Sequence, residues 1–255
     1  MREGRERIRL FLGVEISTAS VDALAETARA LRTSVEAAGG RVRWVAPSRY
    51  HITLKFLGWC MPEIVTALRD RLTAPVAELP RFEFAVRGLG AFPDPGRARV
   101  LWAGVEDPDG GLDRLVTLIE DESDRLGFAR ERRSFHPHVT LGRIDPPADV
   151  DEVLTDASER VFGNDRVRAV TLFESTMNSV GSRYEQRARF ALARASRERK
   201  RQTEGLQRPA SDGPAAAVDA RGSVEPRSDT QPSSLGPDQP HPEPGEHPSD
   251  RGDDA

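Results

Sequence analysis

Residues 50–58 read YHITLKFLG and residues 135–143 read FHPHVTLGR. Each holds the order His, apolar, Thr, Leu: His51-Ile52-Thr53-Leu54 and His138-Val139-Thr140-Leu141. The chain has five histidines, and two of them head these quartets. Both runs are rich in β-branched and aromatic residues, so both read as strands. In a strand, residues two apart share a face. His51 and Thr53 therefore point one way and Ile52 and Leu54 the other, and the second quartet divides in the same manner. The apolar members can be buried, which leaves two His/Thr faces to line a common cleft.

Working outward, residues 8–16, IRLFLGVEI, read as a strand. Ser17, Thr18 or Ser20 can cap a following helix with a Leu24, Ala28, Leu31, Val35 stripe that Gly39-Gly40 end. RVRWVA (41–46) is a further β-rich run, separated from the first motif by PSR. Pro62 stands where the next helix can begin. RFEFAVRGLGAF (81–92) and RARVLWAGVE (97–106) read as strands joined across PDPG, and GLDRLVTLIEDESDRLGF (111–128) as a long amphipathic helix. After the second motif come a shorter helix in ADVDEVLTDAS (148–158) and two closing strands, DRVRAVTLFEST (165–176) and SRYEQRARFAL (182–192). Adjacent strand pairs recur, which favours an α+β fold with antiparallel pairing over a doubly wound parallel sheet. Each half runs strand, helix, strand, motif strand, helix, so two similar lobes around a shared cleft are expected.

Composition sets the limits of the folded part. From Arg201 on there is no aromatic residue, and this stretch holds nine of the 19 prolines and 11 acidic against five basic residues. Such a segment buries too little apolar surface to offset the entropy of ordering it. A folded domain over 5–195 and an acidic, Pro-rich, disordered tail over 196–255 are expected. The folded part is then close to neutral, which argues against a broad nucleic-acid-binding surface while leaving room for a local basic pocket. A single cysteine, Cys60, fits a reducing compartment. The start lacks the apolar core and cleavage site of a signal peptide, and no run reaches membrane-spanning length. A soluble, cytoplasmic chain without a membrane partner is the expectation, and a monomer is the expected state.

Two imidazoles facing one cleft suit acid–base chemistry. Histidine, with a pKa of about 6.5, takes either protonation state near neutrality. One can accept a proton from a nucleophile while the other donates to a leaving group, each role contributing roughly 10²–10⁴-fold. Threonine hydroxyls can donate to a developing anion. The set suits in-line displacement at a phosphodiester without a metal.

With that pairing, RWVAPSRYHITLKFLG and FHPHVTLGR resemble the 2H phosphoesterase superfamily, and within it the bacterial and archaeal RNA 2′,3′-cyclic phosphodiesterases (LigT-like, once called 2′-5′ RNA ligases). The resemblance covers roughly residues 7–193. It implies a bilobal fold of two pseudo-symmetric antiparallel-sheet lobes with outer helices around a central cleft. It also implies hydrolysis of a 2′,3′-cyclic phosphate at RNA 3′ ends to a 2′-phosphate, with no cofactor and no metal. Carried over by motif position, His51 matches the proton donor, His138 the proton acceptor, Thr53 and Thr140 the phosphate-holding hydroxyls, and Arg143 a contact to phosphate or terminal nucleotide.

Three further residues invite a substrate role. Lys55 shares strand parity with His51 and Thr53. Tyr50 and Phe135 precede the motifs and can stack a base, whereas Trp44, Phe56 and Phe92 read as core. Arg143 breaks parity with His138 unless Gly142 hosts a bend. His136 and His138 have a metal-like spacing, but only His51 and Cys60 remain as further soft ligands in the folded part, short of a closed site. The alternatives are 2′-5′ RNA ligation, a small cyclic-nucleotide phosphodiesterase, and a non-catalytic RNA- or nucleotide-binding module.

Overall fold

The computed structural model describes residues 6–178 and 181–194. The expected tail over 196–255 and the turn at 179–180 lie outside the described residues. Nine strands and four helices follow in the order β1 (Ile8–Glu15), α1 (Thr18–Ala37), β2 (Val42–Trp44), β3 (His51–Cys60), α2 (Ile64–Glu78), β4 (Phe82–Phe92), β5 (Ala98–Glu106), α3 (Gly111–Asp124), β6 (His138–Ala148), α4 (Asp151–Thr155), β7 (Val161–Val167), β8 (Ala169–Asn178) and β9 (Gly181–Ala191). All named strand pairs are antiparallel, in the order β7-β4-β5-β6-β3-β1-β8-β9. The fold is α+β with antiparallel pairing, as expected.

Lobe one is β3-β1-β8-β9 and lobe two is β7-β4-β5-β6. They meet where β3 pairs with β6, and the pairing there is a single residue pair, Ile52 with Val139. These are the apolar residues that directly follow the two motif histidines. Ile52, Leu54, Val139 and Leu141 are all buried, and one contiguous core runs beneath both lobes. The motif apolar members thus weld the lobes together on the helix-covered face.

Two of the helices, α1 and α3, cross between lobes. α1 starts where Ser17 Oγ accepts the Ser20 N–H, and Asp165 of β7 accepts the Ser17 N–H at 3.0 Å. A cap of the first kind contributes about 1 kcal/mol; the second ties a helix that follows lobe-one β1 to the outer strand of lobe two. In exchange α3, which follows lobe-two β5, packs on β3. Gly39, at φ +86°, ends α1 in a left-handed turn.

Two readings of the chain are corrected. DRVRAVTLFEST is not one strand: Asp165–Val167 close β7, which pairs with β4, and β8 begins at Ala169 beside β1. A single residue, Arg168, carries the chain from one lobe to the other. The second half also lacks a counterpart of β2, since α3 leads to β6 without an intervening strand. β2 itself pairs with β6, placing Arg43 opposite Arg143.

Candidate active site

Antiparallel pairing of Ile52 with Val139 sets His51 beside Thr140 and Thr53 beside His138. The four polar side chains form a diagonal quartet on the open face, at the seam of the lobes. Each histidine is held in the same way. His51 Nδ1–H donates to the Arg49 carbonyl at 2.7 Å, and His138 Nδ1–H donates to the His136 carbonyl at 2.7 Å. A carbonyl only accepts, so each Nδ1 carries the hydrogen and each Nε2 is left for chemistry. His51 Nε2 accepts from the Thr53 hydroxyl at 3.0 Å. His136, an exposed side chain, thus serves the site through its backbone. Among the described residues no three His, Cys, Asp or Glu side chains form a group able to hold a metal ion.

Both imidazoles sit below their ordinary pKa. For His51 burial is the main cause; the Arg49 carbonyl opposes it, and repulsion from His138 adds to it. For His138 burial again leads, opposed by the His136 carbonyl and helped by the charge of the His136 ring. Aromatic rings supply much of that burial. Phe11 lies 4.8 Å and Tyr184 5.3 Å from the His51 ring, and Phe92 lies 5.1 Å from the His138 ring. Opposite Thr53 stands Gly13, where a Cβ would come within 2.9 Å of the Ile52 carbonyl and 3.3 Å of the His51 ring. Only a missing side chain lets β1 lie that close to the histidine.

The structure repeats one backbone device after each motif. The register of β3 on β1 passes from Thr53 opposite Gly13 to Lys55 opposite Leu12, and that of β6 on β5 from Thr140 opposite Trp102 to Gly142 opposite Leu101. Leu54 and Leu141 are each the extra residue of a β-bulge, which shifts the parity of everything beyond. This corrects the expectation for Lys55. It turns to the helix side and is only 6 % exposed. Its ammonium lies 2.6 Å from Glu120 Oε2 and donates to the Ala129 carbonyl at 2.9 Å. The same bulge on β6 turns Arg143 onto the His face, exposed and opposite Arg43.

Tyr50 is corrected as well. It is 6 % exposed within the core, and burial pushes its phenol up to about 12. Phe135 is half-buried and packs against the core. Phe56, read as core from the sequence, is instead 66 % exposed. It stands opposite Phe11, with ring centroids 5.9 Å apart. Phe56 and Arg43 are among the site-face residues that sequence reading missed. The signal for Phe56 would have been the bulge, which no residue announces. That for Arg43 would have been the pairing of β2 with β6.

A family model described as the 2′-5′ RNA ligase superfamily matches residues 20–176. The chain belongs to the 2′-5′ RNA ligase superfamily. Relatives in it include an RNA 2′,3′-cyclic phosphodiesterase of Aeropyrum pernix, 35% identical over 158 residues that cover 60% of this chain and 88% of that protein. Another, of Methanothermobacter thermautotrophicus, is 31% identical over 193 residues, covering 73% of this chain and 100% of that protein. Among solved structures, Escherichia coli LigT complexed with 3′-AMP matches with a TM-score of 0.58 and 29% identity, over 73% of this chain and 99% of that one. TT0787 of Thermus thermophilus matches with a TM-score of 0.61 and 25% identity, over 72% and 97%. The matched region contains both motif strands.

Proposed function

We propose that this superfamily member is an RNA 2′,3′-cyclic phosphodiesterase that opens the cyclic phosphate at RNA 3′ ends to a 2′-phosphate. The observation that carries the reading is the matched pair of Nδ1 anchors, which leaves two Nε2 atoms on one open face at the seam of the lobes. Relatives at 31–35% identity bear the name of this activity.

In this reading the cyclic phosphate sits between the imidazoles. His138 Nε2 takes a proton from water as its oxygen attacks phosphorus. The P–O3′ bond breaks, and His51 Nε2–H supplies the proton to O3′, leaving a 3′-hydroxyl and a 2′-phosphate. Thr53 and Thr140 donate to the non-bridging oxygens, whose charge grows in the transition state. Arg143 adds positive charge at the β6 end. The nucleoside lies toward the other end, over the exposed ring of Phe56. Each step uses groups of one chain, which supports action as a monomer, and the lone thiol fits the cytoplasm.

The test is incubation in EDTA with an oligoribonucleotide ending in a 2′,3′-cyclic phosphate. A 2′-phosphate product, lost in both His51→Ala and His138→Ala, is the expected result. Retained binding without turnover would overturn the reading in favour of a binding module. With a 5′-hydroxyl RNA in place of water as the nucleophile, the same breaking of the P–O3′ bond would leave a 2′-5′ bond, the reaction named in the superfamily's description; adding a 5′-hydroxyl oligomer to the assay measures it.

A further inference from the structure

β3 does not end its site face at Phe56. A second register shift falls between Phe11–Phe56 and Leu10–Gly58, and Gly58 takes a φ of +74° that side chains rarely adopt. Arg9 then stands opposite Trp59. On β1, Arg9 and Phe11 are two apart and share a face, and paired residues share a face as well. Trp59 therefore returns to the side that bears His51, Thr53 and Phe56. It is 59 % exposed, and with Phe56 it is among the large apolar side chains that the fold leaves open to solvent.

The cations lie beside the rings. Arg9 is exposed and makes no ion pair among the described residues. Arg7 Nη2 donates to the Trp59 carbonyl at 2.7 Å and fixes the end of the strand. Open aromatic faces beside an exposed guanidinium group are the composition of a single-stranded nucleic-acid track, where bases stack on the rings and a phosphate meets the arginine. An apolar protein partner would leave Arg9 buried and unpaired.

We propose that the β1–β3 face beyond the histidines carries the body of the RNA, with a base upstream of the terminal nucleotide stacked on Trp59 and its backbone phosphate against Arg9. The proposal rests on the RNA-end reading above. It also sets the polarity: the strand runs from the cyclic phosphate along β3, away from Arg143. From His51 to Trp59 the paired strand β1 advances from Glu15 to Arg9, roughly 20 Å at about 3.4 Å per residue. Stacked nucleotides are about 3.4 Å apart in a duplex strand, so Trp59 lies beyond the reach of the terminal nucleoside.

The experiment compares a 2′,3′-cyclic mononucleotide with a ten-nucleotide oligomer ending in the same cyclic phosphate. Trp59→Ala is expected to lower kcat/KM on the oligomer about tenfold relative to the mononucleotide, mainly through KM. Trp59→Phe should restore most of the ratio, and Arg9→Gln should flatten the salt dependence of the oligomer's KM. An unchanged ratio in Trp59→Ala overturns the track. So does wild-type self-association, seen by sedimentation, that Trp59→Ala abolishes. If the wild type turns over neither substrate, the function reading fails, and anisotropy with a fluorescent 2′-phosphate oligomer still decides the track: weaker binding by Trp59→Ala upholds it and equal binding overturns it.

Discussion

The arms that leave the seam of the lobes in opposite directions, His51–Trp59 on β3 and His138–Ile144 on β6, share a backbone and differ in chemistry. Both begin with a histidine anchored to the carbonyl two residues before it. Both continue with a buried apolar residue, a half-exposed threonine and a bulged leucine, then a buried and an exposed residue. At the buried position stands Lys55 on one arm and Gly142 on the other. At the exposed position stand Phe56 and Arg143. A near two-fold framework thus gives two equally anchored imidazoles and two unequal flanks, one aromatic and one cationic. A symmetric pair of hands suits a reaction with an acid and a base, while unequal flanks give the substrate a direction.

The largest effects should come from the equal parts. His51→Ala and His138→Ala are each expected to lower kcat by roughly 10²–10⁴-fold, and the double variant by far less than the product, because the pair acts as a unit. The pH–rate profile then separates the arms. Both imidazoles have pKa values below the ordinary range, so wild-type kcat/KM should peak on the acid side of 6.5. The donor must be protonated, so activity falls as pH rises through its pKa; the acceptor must be neutral, so activity falls as pH drops through its pKa. Residual turnover in His51→Ala should lose the alkaline limb and in His138→Ala the acid limb. Loss of the same limb in both variants would break the division of labour.

Next comes the buried position. Lys55→Met leaves Glu120 without its cation, and breaking a buried pair from one side costs about 3–5 kcal/mol. Glu120 Oε2 also lies 3.4 Å from the Glu131 N–H that donates to it, so the segment leading to His138 loosens together with β3. Urea unfolding should show the loss, and Lys55→Met with Glu120→Leu should recover much of it. On the other arm, Gly142→Ala brings a Cβ to 2.6 Å from Val42 Cγ1. The expected cost there is about 1–3 kcal/mol from overpacking. If the two arms lose equal stability, the buried ion pair is not what distinguishes them.

Thr53→Val and Thr140→Val test the hydroxyls. Each is expected to lower kcat by up to about 10²–10³-fold with little change in KM, as for loss of a single donor to a developing anion. Thr53 already donates to His51 Nε2, so the proposed mechanism has its hydroxyl turn from the imidazole to phosphate. Steady-state kinetics of both variants would show whether that difference makes the losses unequal.

The parity of the motifs was legible because His51, Ile52, Thr53 and Leu54 alternate in a way that only a two-sided strand requires. The antiparallel class was legible from recurring strand pairs, and α1 from Ser17 and Gly39. The bulges were not. Leu54 and Leu141 are ordinary strand residues, and nothing local in sequence separates a bulged leucine from a regular one. Parity counting therefore put Lys55 on the wrong face and Phe56 in the core, while Gly142 gave a hint on the other arm. Arg168 escaped for a similar reason: the change of lobe between β7 and β8 carries no Gly or Pro. Arg43 needed a pairing between distant segments, which no local pattern encodes.

The smallest expected effects lie at the exposed positions, and they are the most informative about direction. Arg143→Gln removes a cation that stands beside Arg43 on the His face. It should weaken substrate binding about tenfold, and the slope of log KM against log salt should fall by about 1. Phe56→Leu removes a ring that is 66 % exposed and leaves every charge in place. Its loss should be similar, within the 5- to 150-fold that about 1–3 kcal/mol of stacking gives, yet its salt slope should match the wild type. KM measured from low to moderate salt on one oligomer resolves the two. Equal slopes in both variants would mean that the flanks are interchangeable, and the substrate's direction would then have to come from His51 and His138 alone.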